Sequence, residues 1–336
     1  MTAGVETLIV GAGIAGAATA LRLAELGHEV TVLDRRGVGD EASGLNGGLI
    51  GGSSPHGLEG QLTLGSLDLF LELEIERGRD LGLRVCGGLQ AVPGADRMDA
   101  IRAQVEGQRA RGDEVELLTS REARALEPAL ADDLAGCVYR PRQGCAEPAT
   151  ATRGFALEAQ QRGARFRTEA AVVGLTALPR GYSALLEDGD TIACDTLVLA
   201  GGAWLEPLGE MLGVPMPVVP VLGQMCATAR LPPRVHHVIM SVESALRWSE
   251  GSDAGPVPDL TLSGDVRITR HLYGRQTREG EVVFGGDRIA QGWDKTRHAD
   301  GIEINRKHAA EILPFLASCA AVRSWSGLMP FTPDGK

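Results

Sequence analysis

The sequence predicts an α/β protein whose second domain has α+β character. Glycine accounts for 45 of the 336 residues and aromatic side chains for only 4%, which is typical of folds with many tight turns and close backbone approaches. Near the N-terminus a buried strand, an apolar helix and a second buried strand follow one another. Beyond Pro215, short strand-like segments separated by Pro and Gly predict an antiparallel sheet.

The N-terminal β-α-β unit is the clearest of these local predictions. Val5–Val10 and Val30–Leu33 have the apolar character of buried parallel strands. Between them, Ile14–Leu26 carries Ala and Leu at helical spacing, and Gly27 follows as a C-cap. The crossover between the two strands should be right-handed.

The remaining pattern divides the chain into two interlocked domains. Further helices are predicted at Ser66–Leu81, Arg97–Arg111, Thr119–Leu126, Pro148–Arg162 and Asn305–Leu313. Further strands are predicted at Leu89–Val92, Arg165–Leu175, Tyr182–Leu186, Thr191–Ala193, Thr196–Ala200, Val218–Cys226, Val235–Met240, Val266–Thr269, Val282–Gly285 and Val322–Leu328. We expect a discontinuous nucleotide-binding domain made of residues 1–85, 144–214 and 305–336, and a substrate domain made of residues 86–143 and 215–304.

Composition and charge exclude several classes of protein. The net charge is −11, with no basic block, so a nucleic-acid partner is not expected. A hydrophobic content of 43% excludes a disordered chain. No stretch approaches the roughly 20 apolar residues that a membrane span requires.

Cysteine and histidine spacing indicates neither a metal site nor a disulfide framework. The chain has six widely separated cysteines and no Cys-x-x-Cys pair. The histidines also lack the spacing of metal ligands. A soluble protein of the reducing cytoplasm is the simplest interpretation.

A glycine-rich turn between the first strand and helix indicates a dinucleotide site. Gly11 permits a tight turn, Gly13 allows the backbone to approach a pyrophosphate, and Gly16 allows the helix to pack closely on the strand. Asp34 ends the second strand, where it could bond ribose hydroxyls. These features together predict a Rossmann-like nucleotide-binding fold rather than an ordinary glycine turn.

The same motif leaves the choice of dinucleotide open. Arg35 and Arg36 could hold a 2′-phosphate, which would favour NADP, or could belong to a solvated turn. Glu41–Ile50 favours a flavin, because this loop of small residues offers a second strip of backbone beside a long cofactor.

At this point the sequence resembles the D-amino-acid oxidase family of FAD enzymes, and in particular its glycine oxidase and sarcosine oxidase branch. Ordered motifs along essentially the whole chain are similar to those of the family: Gly144–Pro148, Val172–Leu175, Leu199–Trp204, Pro220–Gly223, Phe284–Arg288 and Trp325–Gly335. The resemblance implies a Rossmann-like FAD-binding domain with an inserted antiparallel-sheet substrate domain.

The resemblance also implies an activity and a set of cofactor contacts. It implies oxidation of the C–N bond of an amino acid or secondary amine, in which flavin accepts a hydride and the resulting imine hydrolyses. The implied FAD contacts are Gly11, Gly13, Ile14, Ala15, Gly16, Asp34, Arg35, Ala42, Ser43, Gly47, Gly48, Leu49 and Val172.

Two departures from the family pattern affect these expectations. The family continues beyond its Pro-Asp-Gly motif, whereas this sequence stops at Lys336. A fragment, a split protein or a remodelled protein would each explain this, and a complete chain would be expected to bind FAD weakly. In the second departure, Met329 lies where many amino-acid oxidising members carry a carboxylate-binding arginine. Arg275 and Arg288 are the alternative cations for a carboxylate. The substrate could instead be a secondary amine or a larger amino-acid derivative, or Met329 could simply fill a gap in the packing.

One segment has the polar pattern of a substrate-facing strand. His271, Tyr273 and Arg275 alternate, so their side chains lie on one side of a strand. His271 could tune amine protonation, Tyr273 could bond the substrate, and Arg275 could bind a carboxylate. A solvated strand face would show the same spacing.

Two other classes of function remain open from the sequence alone. An NADP-linked reductase would use Asp34–Arg36, and a subunit completed by another chain would explain where the sequence ends. The run Arg275–Glu281 is similar to subunits of multi-component amine dehydrogenases, which favours an electron-transfer partner subunit.

Overall fold

The computed structural model describes residues 5–52, 56–243, 261–263, 266–268, 272–289 and 291–332. The α-helices are α1 (Ile14–Glu25), α2 (Ala42–Leu45), α3 (Gly57–Leu71), α4 (Met98–Ala110), α5 (Ser120–Leu126), α6 (Pro148–Gln161), α7 (Leu205–Glu210) and α8 (Ala299–Ile312). A π-helical turn, Glu72–Glu76, continues α3.

The structure contains both kinds of strand expected from the sequence, those of a parallel β-α-β region and those of an antiparallel sheet. They are β1 (Val5–Val10), β2 (Val30–Leu33), β3 (Leu49–Ile50), β4 (Gly88–Val92), β5 (Glu116–Leu118), β6 (Gly136–Arg140), β7 (Gly144–Cys145), β8 (Arg165–Arg167), β9 (Val172–Ala177), β10 (Tyr182–Leu186), β11 (Thr191–Leu199), β12 (Val219–Arg230), β13 (Val238–Ser241), β14 (Thr261–Ser263), β15 (Val266–Ile268), β16 (Tyr273–Gln276), β17 (Glu281–Gly285) and β18 (Ala321–Phe331).

The chain separates into two compact units. Unit 1 contains residues 1–46, 148–221 and 327–336, and unit 2 contains residues 47–147 and 222–326. These bounds differ from the expected ones, because residues 47–85, 144–147 and 305–326 lie in unit 2 and residues 215–221 lie in unit 1. Helix α8 illustrates the reason: Ala309 and Ile312 are buried in the same apolar core as Leu89 and Phe284 of unit 2.

Unit 1 contains the predicted β-α-β unit. Its sheet has the order β8-β2-β1-β11-β10-β9, in which β8, β2, β1 and β11 are parallel neighbours and β9 to β11 form an antiparallel meander. Leu8, Leu33 and Leu186 are buried in its core. The α/β fold class predicted from the sequence is confirmed.

Unit 2 is organised around a mixed sheet with the order β18-β12-β17-β16-β13-β4-β6-β5. Its described pairings are antiparallel except for β13 with β4, which are parallel. Strands β5 and β6 were not predicted.

Several predicted bounds needed correction. The helix expected at Ser66–Leu81 begins at Gly57 and ends its regular turns at Leu71. The strand expected at Arg165–Leu175 is two strands, because the backbone between them turns at Glu169, whose φ is 52°. Two expected strands, Thr191–Ala193 and Thr196–Ala200, form the single strand β11.

Two features that the described residues lack bear on broad function. No helix among them is both long and apolar enough to cross a membrane. In the same part of the chain, no three His, Cys, Asp or Glu side chains are grouped so that they could hold a metal ion.

Candidate active site

The turn between β1 and α1 requires glycine for steric reasons. Gly11 has a φ of 113°, in the left-handed region, and a Cβ there would clash with the carbonyl of Ala200. A Cβ on Gly16 would clash with the carbonyl oxygen of Gly11. The turn can therefore bring the chain directly from the strand edge into the first turn of α1.

The N-terminus of α1 is hydrogen-bonded by a serine of the short helix α2. The backbone N–H of Ile14 donates to Ser43 Oγ at 2.9 Å. A Cβ on Gly13 would lie 2.9 Å from the same oxygen. Ala15, one residue further on, is exposed. This open end of a helix, with N–H groups and a hydroxyl, suits the pyrophosphate of a dinucleotide.

Asp34 stabilises the turn itself. Its Oδ2 accepts a 2.7 Å hydrogen bond from the N–H of Ala12, and its Oδ1 accepts a 2.8 Å bond from the N–H of Arg36. A carboxylate has about four acceptor positions, so ribose hydroxyls could still be accepted. The sequence did not indicate this second, structural role.

The two arginines after Asp34 share one carboxylate, that of Glu41. Arg35 lies over the ring of Trp204, 3.6 Å from its centroid, and its Nη2 is 2.7 Å from Glu41 Oε1. Arg36 Nη1 is 3.4 Å from the same oxygen. Because Glu41 would repel a 2′-phosphate, this arrangement disfavours NADP.

The residues of unit 1 therefore fit the diphosphate of FAD. Of the other contacts implied by the family resemblance in this unit, Ala42 lies beside Ser43 in α2, and Val172 is half-buried on β9 opposite Leu186.

In unit 2, the small-residue loop continues into a short sheet. Leu49 pairs with Cys145, and the N–H of Ala146 donates to the carbonyl of Gly48 at 2.8 Å. The carbonyl of Gly47 accepts a 2.7 Å bond from Arg275 Nε. The loop is thus tied to the segment Gly144–Pro148, which the sequence analysis identified only by resemblance.

Arg275 is a buried structural cation in unit 2. Only 3% of the Arg275 surface is exposed to solvent. Nη1 and Nη2 donate to the two carboxylate oxygens of Glu147, at 2.7 and 2.9 Å. This bidentate pair corrects the carboxylate-binding role expected for Arg275, because its charge is already matched by Glu147. Glu147 had been assigned no role from the sequence.

Electrostatics agree with this pairing. Burial disfavours the charged form of Glu147, but the hydrogen bonds from Arg275, together with nearby arginines, hold its pKa below the ordinary value. Burial also disfavours the charge of Arg275, yet the bonds to Glu147 raise the pKa of this guanidinium.

Tyr273 and Arg288 lie together on another part of unit 2. Arg288 Nη2 donates to the Tyr273 hydroxyl at 3.5 Å. Arg288 is partly accessible, and burial lowers the pKa of its guanidinium below the usual value while Tyr273 opposes the shift. His271, the third residue expected on this strand, lies outside the described residues. Met329 is a half-buried residue of β18.

Comparison with known proteins agrees with the fold. Residues 6–336 match the family "DAO: FAD dependent oxidoreductase", so the chain belongs to this family. The chain is 28% identical to glycine oxidase of Geobacillus kaustophilus (strain HTA426), covering 100% of this chain and 84% of that protein. It is 26% identical to mitochondrial dimethylglycine dehydrogenase of Rattus norvegicus, covering 98% of this chain and 38% of that protein.

Solved structures give the same result. The crystal structure of glycine oxidase from Geobacillus kaustophilus has a TM-score of 0.83 and 25% identity, covering 98% of this chain and 84% of that chain. The protein is therefore an FAD-dependent enzyme that oxidises an amino acid or amine, and the NADP-linked alternative is not favoured.

Proposed function

We propose that the substrate is an amino acid or N-alkylated amino acid whose carboxylate binds Arg288 and Tyr273. The observation that carries this proposal is the pairing of a partly accessible arginine with a tyrosine hydroxyl, 3.5 Å apart, in unit 2. Arg275 is paired with Glu147, which leaves Arg288 as the better of the two cations weighed from the sequence. The amino-acid substrate named for glycine oxidase, a relative at 28% identity, is consistent with a carboxylate site.

The proposed FAD contacts in unit 1 follow from its geometry. Gly11 and Gly16 allow the close packing that forms the turn, and Gly13 would leave room for the diphosphate. The N–H groups at the start of α1 and the hydroxyl of Ser43 would hydrogen-bond it. Asp34 would accept from the ribose. Arg35, Ala42 and Val172, and in unit 2 Gly47, Gly48 and Leu49, remain proposed contacts based on the family resemblance.

FAD, when bound, supplies the hydride acceptor for oxidation of the carbon that bears the amine. Arg288 would fix the carboxylate and therefore the orientation of that carbon. Tyr273 would add a hydrogen bond to the same group. Water then hydrolyses the imine product. The buried pair of Arg275 and Glu147 would position the loop at Gly47 rather than touch the substrate.

Replacing Arg288 with methionine tests this proposal. We expect KM for an amino-acid substrate to rise about 10- to 100-fold, since a hydrogen-bonded charge pair is lost, with bound FAD retained. Arg323→Met is the control, because Arg323 is an exposed cation paired with Glu281. Equal kinetic constants for the Arg288→Met and Arg323→Met proteins would contradict the proposed carboxylate site.

Two finer points remain proposals. Reoxidation by a partner subunit is suggested by the similarity of Arg275–Glu281 to multi-component dehydrogenases, and co-purification of a second polypeptide would support it. A cytoplasmic location is consistent with the six cysteines, all of which are free thiols.

A further inference from the structure

Unit 2 contains a cavity of about 400 Å³ that the proposed function does not yet use. This volume lies within the range of small-molecule sites, roughly 300–1,000 Å³. Its wall is mainly apolar on one side, with Ile101, Val105, Val138 and Val242. The other residues that line it are Gly51, Gly52, Gln90, Gln104, Gln108, Arg140, Gln143 and Met240.

The polar side of this cavity combines a cation with acceptors that lack partners. Arg140 Nη1 donates to Gln90 Oε1 at 3.0 Å. Gln143 is only 8% exposed, and its Oε1 has no hydrogen-bond partner among the described residues. The Oε1 of Gln108 is also buried and has no hydrogen-bond partner among the described residues. Buried acceptors without partners are costly, so a ligand with N–H or O–H donors would stabilise this wall.

The sheet register places this cavity beside Tyr273. Tyr273 on β16 is opposite Met240 on β13, and Met240 is the partner of Gln90 on β4. Gln90 in turn is opposite Val138 on β6. Tyr273 also packs against the cluster that contains Met240. Two strand spacings therefore separate Tyr273 from Gln90, about 10 Å on one face of the sheet.

We infer that the cavity binds the far end of the substrate, an alkyl arm on the amine nitrogen that ends in an amino-acid head group. The carboxylate of the head group would pair with Arg140, and its ammonium would donate to Gln143 and Gln108. The arm would lie along the apolar wall. A chain of about four methylene groups plus the head group spans the distance from Tyr273 to Gln90. The inference rests on the proposed function, because the oxidised amine is assumed to be anchored at Arg288.

Two compounds with the same oxidisable glycine end test this inference. Nε-(carboxymethyl)lysine carries the amino-acid head group, and N-pentylglycine carries a plain alkyl arm of similar length. Flavin reduction by each is measured anaerobically with the FAD-loaded protein. We expect kcat/KM for the first to exceed that for the second, and this ratio to fall about 10- to 100-fold in the Arg140→Met protein.

The matched control is Arg142→Met, because Arg142 is a half-exposed residue two positions away that does not line the cavity. In Arg142→Met, the ratio of kcat/KM for the two compounds should equal that of the wild type. If Arg140→Met does not fold, Gln108→Met removes one acceptor without shortening the side chain and should lower the ratio in the same direction. The FAD content of each variant reports whether it has folded.

The outcomes separate the two proposals. If neither compound reduces the flavin but another amino acid or N-alkylated amino acid does, this inference alone is overturned. If no amino acid or N-alkylated amino acid reduces the flavin, the proposed function is contradicted and this inference falls with it. If both compounds react but the ratio is near one, or is unchanged in Arg140→Met, the cavity holds only water and this inference alone is overturned.

Discussion

Ser43 and Gly13 control the cofactor end of α1 at the scale of single residues. Ser43 Oγ accepts the N–H of Ile14, and the space above Gly13 is bounded by the same oxygen. A methyl group at position 13 would require Ser43 to move and would intrude where the diphosphate is expected.

Gly13→Ala should therefore weaken FAD binding about tenfold or more, from the loss of one charge-assisted hydrogen bond and added steric conflict. The dissociation constant is measured by titrating FAD into the apoprotein. Gly65→Ala is the control, since Gly65 is a helical glycine with open space around its Cβ, and it should bind FAD like the wild type. Unchanged affinity in Gly13→Ala would contradict the assigned diphosphate position.

At the scale of elements, one ion pair joins two distant segments of unit 2. Arg275 on β16 bonds both Glu147, after β7, and the carbonyl of Gly47, before β3. Removing one member of such a buried pair leaves the other charge unmatched. The loop Gly47–Gly48 depends on this connection.

Glu147→Gln should lower the free energy of unfolding by about 3 kcal/mol, measured by urea denaturation. The stabilisation by Glu147 should decrease as the pH falls. Because the folded-state pKa of Glu147 is lowered, its contribution is fully present above the ordinary value of 4.5 and is lost as pH falls through the lower folded pKa. The difference in the free energy of unfolding between wild type and Glu147→Gln should therefore decrease as the pH falls through this range.

Arg278→Met offers a comparison, because Arg278 is a half-exposed cation of the same hairpin that pairs with Asp80 and Glu74. Exposed pairs contribute about 0–1 kcal/mol. A loss in Glu147→Gln no larger than that in Arg278→Met would show that the buried pair does not hold the loop.

Features determined by neighbouring residues could be predicted from the sequence, whereas contacts between residues far apart in the chain could not. The bounds of β1 and β2 were predicted correctly, and those of α1 to within one residue, because local apolar pattern and the glycine turn specify them. Glu147 and Arg275 are 128 positions apart, and no local pattern indicates that they meet. The pairing with Glu147, which argues against the carboxylate role considered for Arg275, could therefore not be predicted from the sequence. Strand β6 was missed because its pattern is short and its partner β4 is far along the chain.

On the scale of the whole molecule, the two units carry different parts of the chemistry. Unit 1 presents a glycine turn, an open helix N-terminus and two arginines that contact Glu41, which suits FAD better than NADP. Unit 2 presents Tyr273, Arg288 and a polar cavity, which suit a substrate with a carboxylate. Membership of the DAO family agrees with this assignment.

The most direct test of this account is an anaerobic titration of the FAD-loaded protein with a panel of amino acids and N-alkylated amino acids, followed by visible absorption. We expect the oxidised flavin spectrum to bleach with at least one member of the panel and to return when oxygen or an artificial electron acceptor is added. An oxidised spectrum that persists across the whole panel would contradict amine oxidation by this chain.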